Sequence, residues 1–332
     1  MEQSQLLALL EGKREQFVSG EEISRLLGVS RTAVWKHIRK LEAEGFGIEA
    51  VPRKGYRLTG SPARLNAVEL QSKLGTAAFG RHLHIRETVT STQDVLRELA
   101  EAGAPEGTLV IAERQDNGRG RMGRAWVSPP GRGISMSLLL RPGVPLHLAP
   151  QLTLLSAVAL CRSLSRETGL AIGIKWPNDL LVDGRKISGI LLESAAEDER
   201  LRYVAVGLGI AVNLEPEDYP EELSTRAVSL KMAAGRSFDR ASLIAAVLLE
   251  FEQLYAVYQE RGFEPIRILW ETYSVTLDRT VSLNAGQGFF EGVPRGLDEH
   301  GGLRVELPDG GVRTIYSAEI GDAAPLPGAG GR

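Results

Sequence analysis

At 332 residues, 43% hydrophobic and 24% charged, the chain has the length for two or three domains and the balance of a soluble globular protein. A single cysteine excludes an internal disulfide or a cysteine-rich zinc site. The net charge of −3 decides nothing about nucleic acid until its distribution is examined. The N-terminus is polar and acidic with no signal-peptide core, and no apolar run reaches the length of a membrane span. A cytoplasmic protein with no membrane association is expected.

Taken in chain order, Leu6, Leu7, Leu9 and Leu10 supply a first apolar helix. Ser19-Gly20-Glu21-Glu22 opens a second helix carrying Ile23, Leu26 and Leu27, which Gly28 can end. Ser30 then caps a third, whose Val34, Ile38 and Leu41 form an i, i+4, i+7 stripe. Helix, short turn, capped helix is the helix-turn-helix pattern. Phe46 to Val51 and Gly55 to Leu58 predict a hairpin across the basic turn Pro52-Arg53-Lys54, and Gly60-Ser61-Pro62 a linker. Between Arg25 and Arg57 stand eight Lys or Arg against three Glu, so this unit is basic within a mildly acidic chain. Ser30, Arg31, Thr32, Lys36, His37 and Arg39 are candidates for the groove of DNA, and Arg53 and Lys54 for its phosphates.

From about Leu65 to Tyr273 strand patterns alternate with helical ones, as expected for one mixed sheet flanked by helices. The strands are Leu109 to Ala112, Ser135 to Leu140, Ile187 to Glu193 and Tyr203 to Val212; the helices are Thr92 to Glu101, Pro150 to Thr168 and Asp239 to Glu260. Cys161 ends an apolar stretch and reads as packing, and the five histidines show no metal-ligand spacing, so no structural metal is expected. From Ser274 short strands with Gly-rich turns predict a small β-barrel, and the tail from Gly321 is expected to be disordered. The domains expected are 1–62, 63–273 and 274–322, followed by a tail at 323–332.

Four segments carry chemistry. In Gly118 to Arg124 glycines and arginines alternate, which allows close backbone approach and supplies planar, permanent cations for phosphate or carboxylate; a basic surface loop is the alternative. Lys175-Trp176-Pro177-Asn178-Asp179 places a cation, an aromatic ring, an amide and a carboxylate at a strand end. There Asp179 suits Mg²⁺, Asn178 a base or phosphate and Lys175 a phosphate, unless the segment is only a turn with a buried Trp. Lys186 enters the next strand, either toward solvent or toward a buried site. Ser91-Thr92-Gln93 starts a helix and offers hydroxyls and an amide beside free N–H groups. Gly207 to Asn213 lacks the third glycine of a dinucleotide fingerprint and lies inside a strand, where glycine marks close approach.

Together these segments, with the Arg53-Lys54-Gly55-Tyr56 hairpin, resemble over nearly the whole chain the bifunctional biotin–protein ligases that also repress the biotin operon. The resemblance implies an N-terminal winged helix-turn-helix, a central mixed-sheet ligase domain of class II synthetase type and an SH3-like C-terminal barrel. It implies that ATP and Mg²⁺ convert biotin to biotinyl-5′-AMP, which then biotinylates a lysine of the acetyl-CoA carboxylase carrier subunit. Carried over by motif, Ser91, Thr92, Gln93, Gln115, Arg119, Gly120, Arg121 and Lys186 surround biotin, with Lys186, Arg121 and Arg119 catalytic. Arg121, Arg124, Trp126, Lys175, Asn178, Asp179 and Asn213 attend ATP, with Asp179 the metal ligand. An adenylate-bound homodimer on palindromic operator DNA is further implied. Two positions depart from the pattern: Gln93-Asp94 stands where the best-known relatives have Asn-Gln, and Met122 where an arginine is common. A lipoate-type ligase and a biotin sensor without ligase activity are the competing readings.

Overall fold

The computed structural model describes residues 2–14, 16–60, 64–285 and 288–322. The expected linker at Ser61-Pro62 and the expected disordered tail 323–332 lie outside them.

The N-terminal unit is built from α1 (Glu2–Gly12), α2 (Gly20–Leu27), α3 (Arg31–Ala43) and the antiparallel pair β1 (Gly47–Val51) and β2 (Gly55–Gly60). Its boundaries follow from local chemistry. Ser19 Oγ accepts the Glu22 N–H at 3.1 Å and Ser30 Oγ the Ala33 N–H at 3.2 Å, each satisfying an otherwise orphaned helix donor. Gly28 ends α2 in the left-handed region. Leu6, Leu7, Leu10, Ile23, Val34, Ile38, Leu41 and Leu58 close a small core of their own.

The central unit contains α4 (Ala67–Lys73), β3 (Leu83–Val89), α5 (Thr92–Glu101), β4 (Leu109–Gln115), β5 (Ile134–Leu140), α6 (Ala149–Thr168), β6 (Gly173–Lys175), β7 (Asp179–Val182), β8 (Arg185–Glu197), β9 (Arg200–Ile210), α7 (Leu230–Ala234), α8 (Arg240–Arg261) and α9 (Glu264–Tyr273). Among the described residues, seven strands form one mixed sheet in the order β3-β4-β5-β9-β8-β7-β6; β3 and β4 are parallel and the other neighbours antiparallel. The pleat sorts its side chains. Leu109, Ile111, Leu138 and Leu140 join the large core with α6 and α8, while Val110, Leu139, Tyr203 and Ala205 pack with Leu96 and Ala100 of α5 on the opposite face.

Two helical stretches overturn one expectation from sequence. Leu146–Thr168 and Arg240–Arg261 are long and apolar enough to cross a membrane by length and composition. Their polar residues are scattered along the helix and so hide the stretch from a search for one unbroken run. Both helices are core elements, with 67% and 61% of their apolar windows buried, and a helix enclosed by protein is apolar around most of its circumference. Cys161 lies in α6, where burial pushes its thiol up to about 12.

The C-terminal unit is a five-stranded antiparallel sheet, β13-β12-β11-β10-β14, from β10 (Val281–Asn284), β11 (Phe289–Leu297), β12 (Leu303–Glu306), β13 (Val312–Ile315) and β14 (Glu319–Asp322). A register shift between Pro294 and Gly296 bends β11. Val281, Leu283, Leu297, Leu303, Val305 and Ile315 belong to the same core as the central sheet, so this unit is fused to the central one.

Candidate active site

A cavity of about 1130 Å³ opens on the α5 face of the sheet. Its floor is made by strand glycines. Gly189 of β8 pairs with Gly209 of β9, and Leu191 with Gly207. A Cβ on Gly209 would lie 2.4 Å from the Trp126 ring, and one on Gly207 would lie 2.8 Å from Gln93 Nε2. These glycines therefore let side chains lie directly on the sheet.

One wall is the start of α5. Ser91 caps it, with its Oγ accepting the Gln93 N–H. Thr92 Oγ1 reaches Gln115 Oε1 at 3.1 Å and Ser137 Oγ at 2.8 Å, and Gln115 Oε1 also accepts the Thr92 N–H at 2.8 Å. Gln93 Nε2 donates to the Leu191 carbonyl at 2.8 Å, while its Oε1 is buried without a protein partner. Buried amide oxygens are normally hydrogen-bonded, so this one stands out as an open acceptor beside the cavity.

The opposite wall carries the cations. The Gly-Arg loop folds back on itself: Gly120 N–H donates to Arg124 O at 2.7 Å and Trp126 N–H to Gly118 O at 2.9 Å. Arg121 is held by Asn178 Oδ1 at 3.3 Å and Ser317 Oγ at 2.8 Å. Burial lowers the Arg121 guanidinium from its ordinary value, with Asp179 and Glu319 acting against that, and arginine stays charged regardless. Lys186 Nζ sits 2.7 Å from Asp179 Oδ1 and 5.8 Å from the Trp126 ring centroid. Adjacent residues, Asn178 and Asp179, thus hold the two cations. Asn178 is engaged at both ends of its amide, its Nδ2 giving one of its two hydrogens to the Ile190 carbonyl at 2.8 Å.

Of the sequence candidates, Ser91, Thr92, Gln93, Gln115, Arg119, Gly120, Arg121, Arg124, Trp126, Lys175, Asn178, Asp179 and Lys186 all line this cavity. Asn213 does not. Its Nδ2 donates to the Phe238 carbonyl and its Oδ1 accepts the Phe238 N–H, both at 2.9 Å, and it faces a different cavity beside Arg240. Asn213 clamps the backbone before α8 and stands apart from the other nucleotide candidates. Arg119 lines the cavity, yet its guanidinium is taken by Asp94. Asp179 belongs to β7, where it pairs with Lys175 and Gly189, rather than to the turn.

Several lining residues escaped the sequence reading. Behind the wall, Ser137 holds Thr92 from within a strand, where it is fully buried. The segment from Tyr219 to Ala227 returns to the cavity because the Lys186 N–H donates to Arg226 O and the Val228 N–H to Lys186 O. Asn284, Phe289 and Glu319 come from the C-terminal unit, and Glu319 is paired with Arg124. None of these carries a local pattern; only the chain's return in space brings them there.

On the DNA-directed face, Ser30, Arg31, Thr32, Lys36 and Arg39 of α3 are exposed and His37 is half-buried; Arg53 and Lys54 are exposed at the hairpin tip. Trp35, half exposed between them with Arg39 over its ring at 5.6 Å, was not foreseen.

The Biotin/lipoate A/B protein ligase family matches residues 85–211, an HTH domain residues 2–57, and the Biotin protein ligase C terminal domain residues 276–320. The chain is 47% identical over 315 residues to the bifunctional ligase/repressor BirA of Bacillus subtilis (strain 168), covering 95% of this chain and 97% of that one. It is 31% identical to the protein of the same name from Escherichia coli (strain K12), over 95% of each. A structure of biotin protein ligase from Aquifex aeolicus in complex with biotin and ATP matches with TM-score 0.63 and 30% identity, over 73% of this chain and 100% of that one. The chain therefore belongs to the family of bifunctional biotin–protein ligases and repressors.

Proposed function

We infer that the protein is an ATP-dependent biotin–protein ligase that also binds DNA as a transcriptional repressor of biotin synthesis genes. In the first step a carboxylate oxygen of biotin attacks the α-phosphorus of ATP; the bond to the bridging oxygen breaks and pyrophosphate leaves. In the second, a lysine amine of the acetyl-CoA carboxylase carrier subunit attacks the biotinyl carbonyl, loses a proton and expels AMP. A carrier subunit and an operator as partners are consistent with work in the cytoplasm.

The observation that carries this reading is the pair of cations, Arg121 and Lys186, held by Asn178 and Asp179 over a glycine floor. Adenylation brings two anions together, and prepositioned cations are what lowers that barrier. The unpartnered Gln93 Oε1 suits an N–H donor of the ureido ring, and the Ser91 and Thr92 hydroxyls stand beside it. Trp126 offers its ring as a cover that excludes water from the anhydride. Arg124, Lys175 and Asn178 attend the phosphates.

Mg²⁺ fits as a companion of ATP. Among the described residues no group of three or more His, Cys, Asp or Glu stands ready to hold a metal by itself, and Mg²⁺ in nucleotide sites needs only one or two carboxylates besides the phosphates. Asp179 is the carboxylate to supply, and the ion would neutralise phosphate charge. The adenylate-bound form pairs as a homodimer, so that two copies of α3 read a palindromic site.

Biotin-dependent exchange of pyrophosphate into ATP, followed by transfer of labelled biotin to a carrier domain, tests the reading. Exchange supported only by lipoate or octanoate overturns the substrate. Exchange without transfer removes the ligase step, and failure of both in folded protein favours a sensor.

A further inference from the structure

The first arginine of the Gly-Arg loop is not aimed at the cavity as a free cation. Arg119 Nη1 donates to Asp94 Oδ2 at 3.2 Å and Nη2 to Asp94 Oδ1 at 2.8 Å, a two-bond fork on one carboxylate. Glu193 of β8 lies 3.9 Å from the same guanidinium, and Arg97, one turn along α5, donates to Asp94 Oδ1 at 3.0 Å. The side chains of Arg119 and Asp94 are only 29% and 22% exposed, so the pair is partly screened from water. Hydrogen bonds from Arg119 hold the Asp94 carboxyl below the ordinary carboxylate range.

Asp94 occupies the first turn of α5, the helix whose start presents Ser91, Thr92 and Gln93 to the cavity. Its partner stands at the beginning of the loop that carries Arg121 and Trp126. The pair therefore ties the Gly-Arg loop to the helix start that presents Ser91, Thr92 and Gln93.

We propose that Asp94 is a positioning residue which, through Arg119, latches the Gly-Arg loop over bound biotinyl adenylate and so sets how long the intermediate is retained. Arg119 is then a strut for the loop rather than a direct contact of biotin. The proposal rests on the reading that this loop closes on the adenylate.

The test loads the full-length protein with labelled biotin and ATP, chases with unlabelled biotin and follows adenylate release. Asp94→Asn is expected to speed release roughly tenfold, the worth of one charge-assisted two-bond contact. KM for biotin rises while kcat for transfer stays close to wild type, and the melting temperature moves by no more than about 4 °C. Asp94→Glu restores much of the retention, and Asp94→Asn with Arg119→Met releases no faster than either single variant. Wild-type release by Asp94→Asn, or single effects that multiply in the double variant, overturns the latch. Arg121→Gly in the same assay separates the two ideas. If it speeds release and Asp94→Asn does not, only the latch falls; if neither does, the reading of the loop falls and the latch with it.

Discussion

At the scale of single residues, the site is defined as much by what is missing as by what is present. The cations have side-chain partners that fix them, but the aromatic cover and the amide of Gln93 reach the sheet only because Gly209 and Gly207 have no Cβ. The Trp126 ring is rigid and cannot bend its far end aside, so a methyl group at 2.4 Å from it forces the whole ring to move. Gly209→Ala is accordingly expected to cut biotin-dependent pyrophosphate exchange by roughly 100-fold, the scale of loss from an ångström of misplacement, while the circular dichroism spectrum stays native. Exchange near the wild-type rate would refute the close-packed floor as a functional element.

At the scale of elements, α3 and the β1–β2 hairpin form a basic surface whose charges are only lightly committed. Arg31 meets Glu21 at 3.6 Å and Arg39 meets Glu42 at 3.0 Å, both on the exposed surface. Such pairs are worth about 0–1 kcal/mol, less than a phosphate contact offers in exchange. Lys54, exposed at the hairpin tip 6.0 Å from the Phe17 ring, has the placement of a phosphate contact. Lys54→Ala should weaken operator and non-operator DNA alike and lower the slope of log affinity against log salt by ~0.9. An unchanged slope would place Lys54 off the DNA.

At the scale of the whole molecule, the N-terminal unit is joined to the catalytic unit by a partly buried polar junction. Lys73 of α4 reaches Glu11 of α1 at 3.1 Å and Asp239, the cap of α8, at 3.3 Å. Beside it Glu69 is only 5% exposed. Burial first, then Asp239, pushes Glu69 up to about 7; Glu11 adds to this, and Lys73 and Arg14 oppose it. The sign follows from proton counting. Between the ordinary value of 4.5 and about 7 the folded state keeps a proton that the unfolded chain has lost, so this group's contribution is full below that window and declines as pH rises through it. The loss is on the order of 3 kcal/mol. Glu69→Gln, which keeps shape and hydrogen-bonding capacity, should flatten that part of the stability profile and raise stability at pH 8 in chemical denaturation. A variant no more stable than wild type at pH 8 would show the carboxyl to be ionised without cost.

The sequence by itself determined the elements whose signals are local and periodic. The caps at Ser19, Ser30 and Ser91, the stripe Val34/Ile38/Leu41 and the alternating Gly-Arg loop are legible because each is written within a turn or two of chain. The identity of most cavity residues was legible for the same reason, helped by a family resemblance spanning nearly the whole chain. Only the tertiary structure decided which of them face one another. Asn213 follows a site strand yet turns away to Phe238; Arg119 is paired before any ligand arrives; Ser317 and Glu319, almost two hundred residues after the loop, supply partners for Arg121 and Arg124. Short β-strands and polar pairs of this kind draw their stability from neighbours far away in the chain, so their placement is a property of the packed sheet and not of any window of sequence.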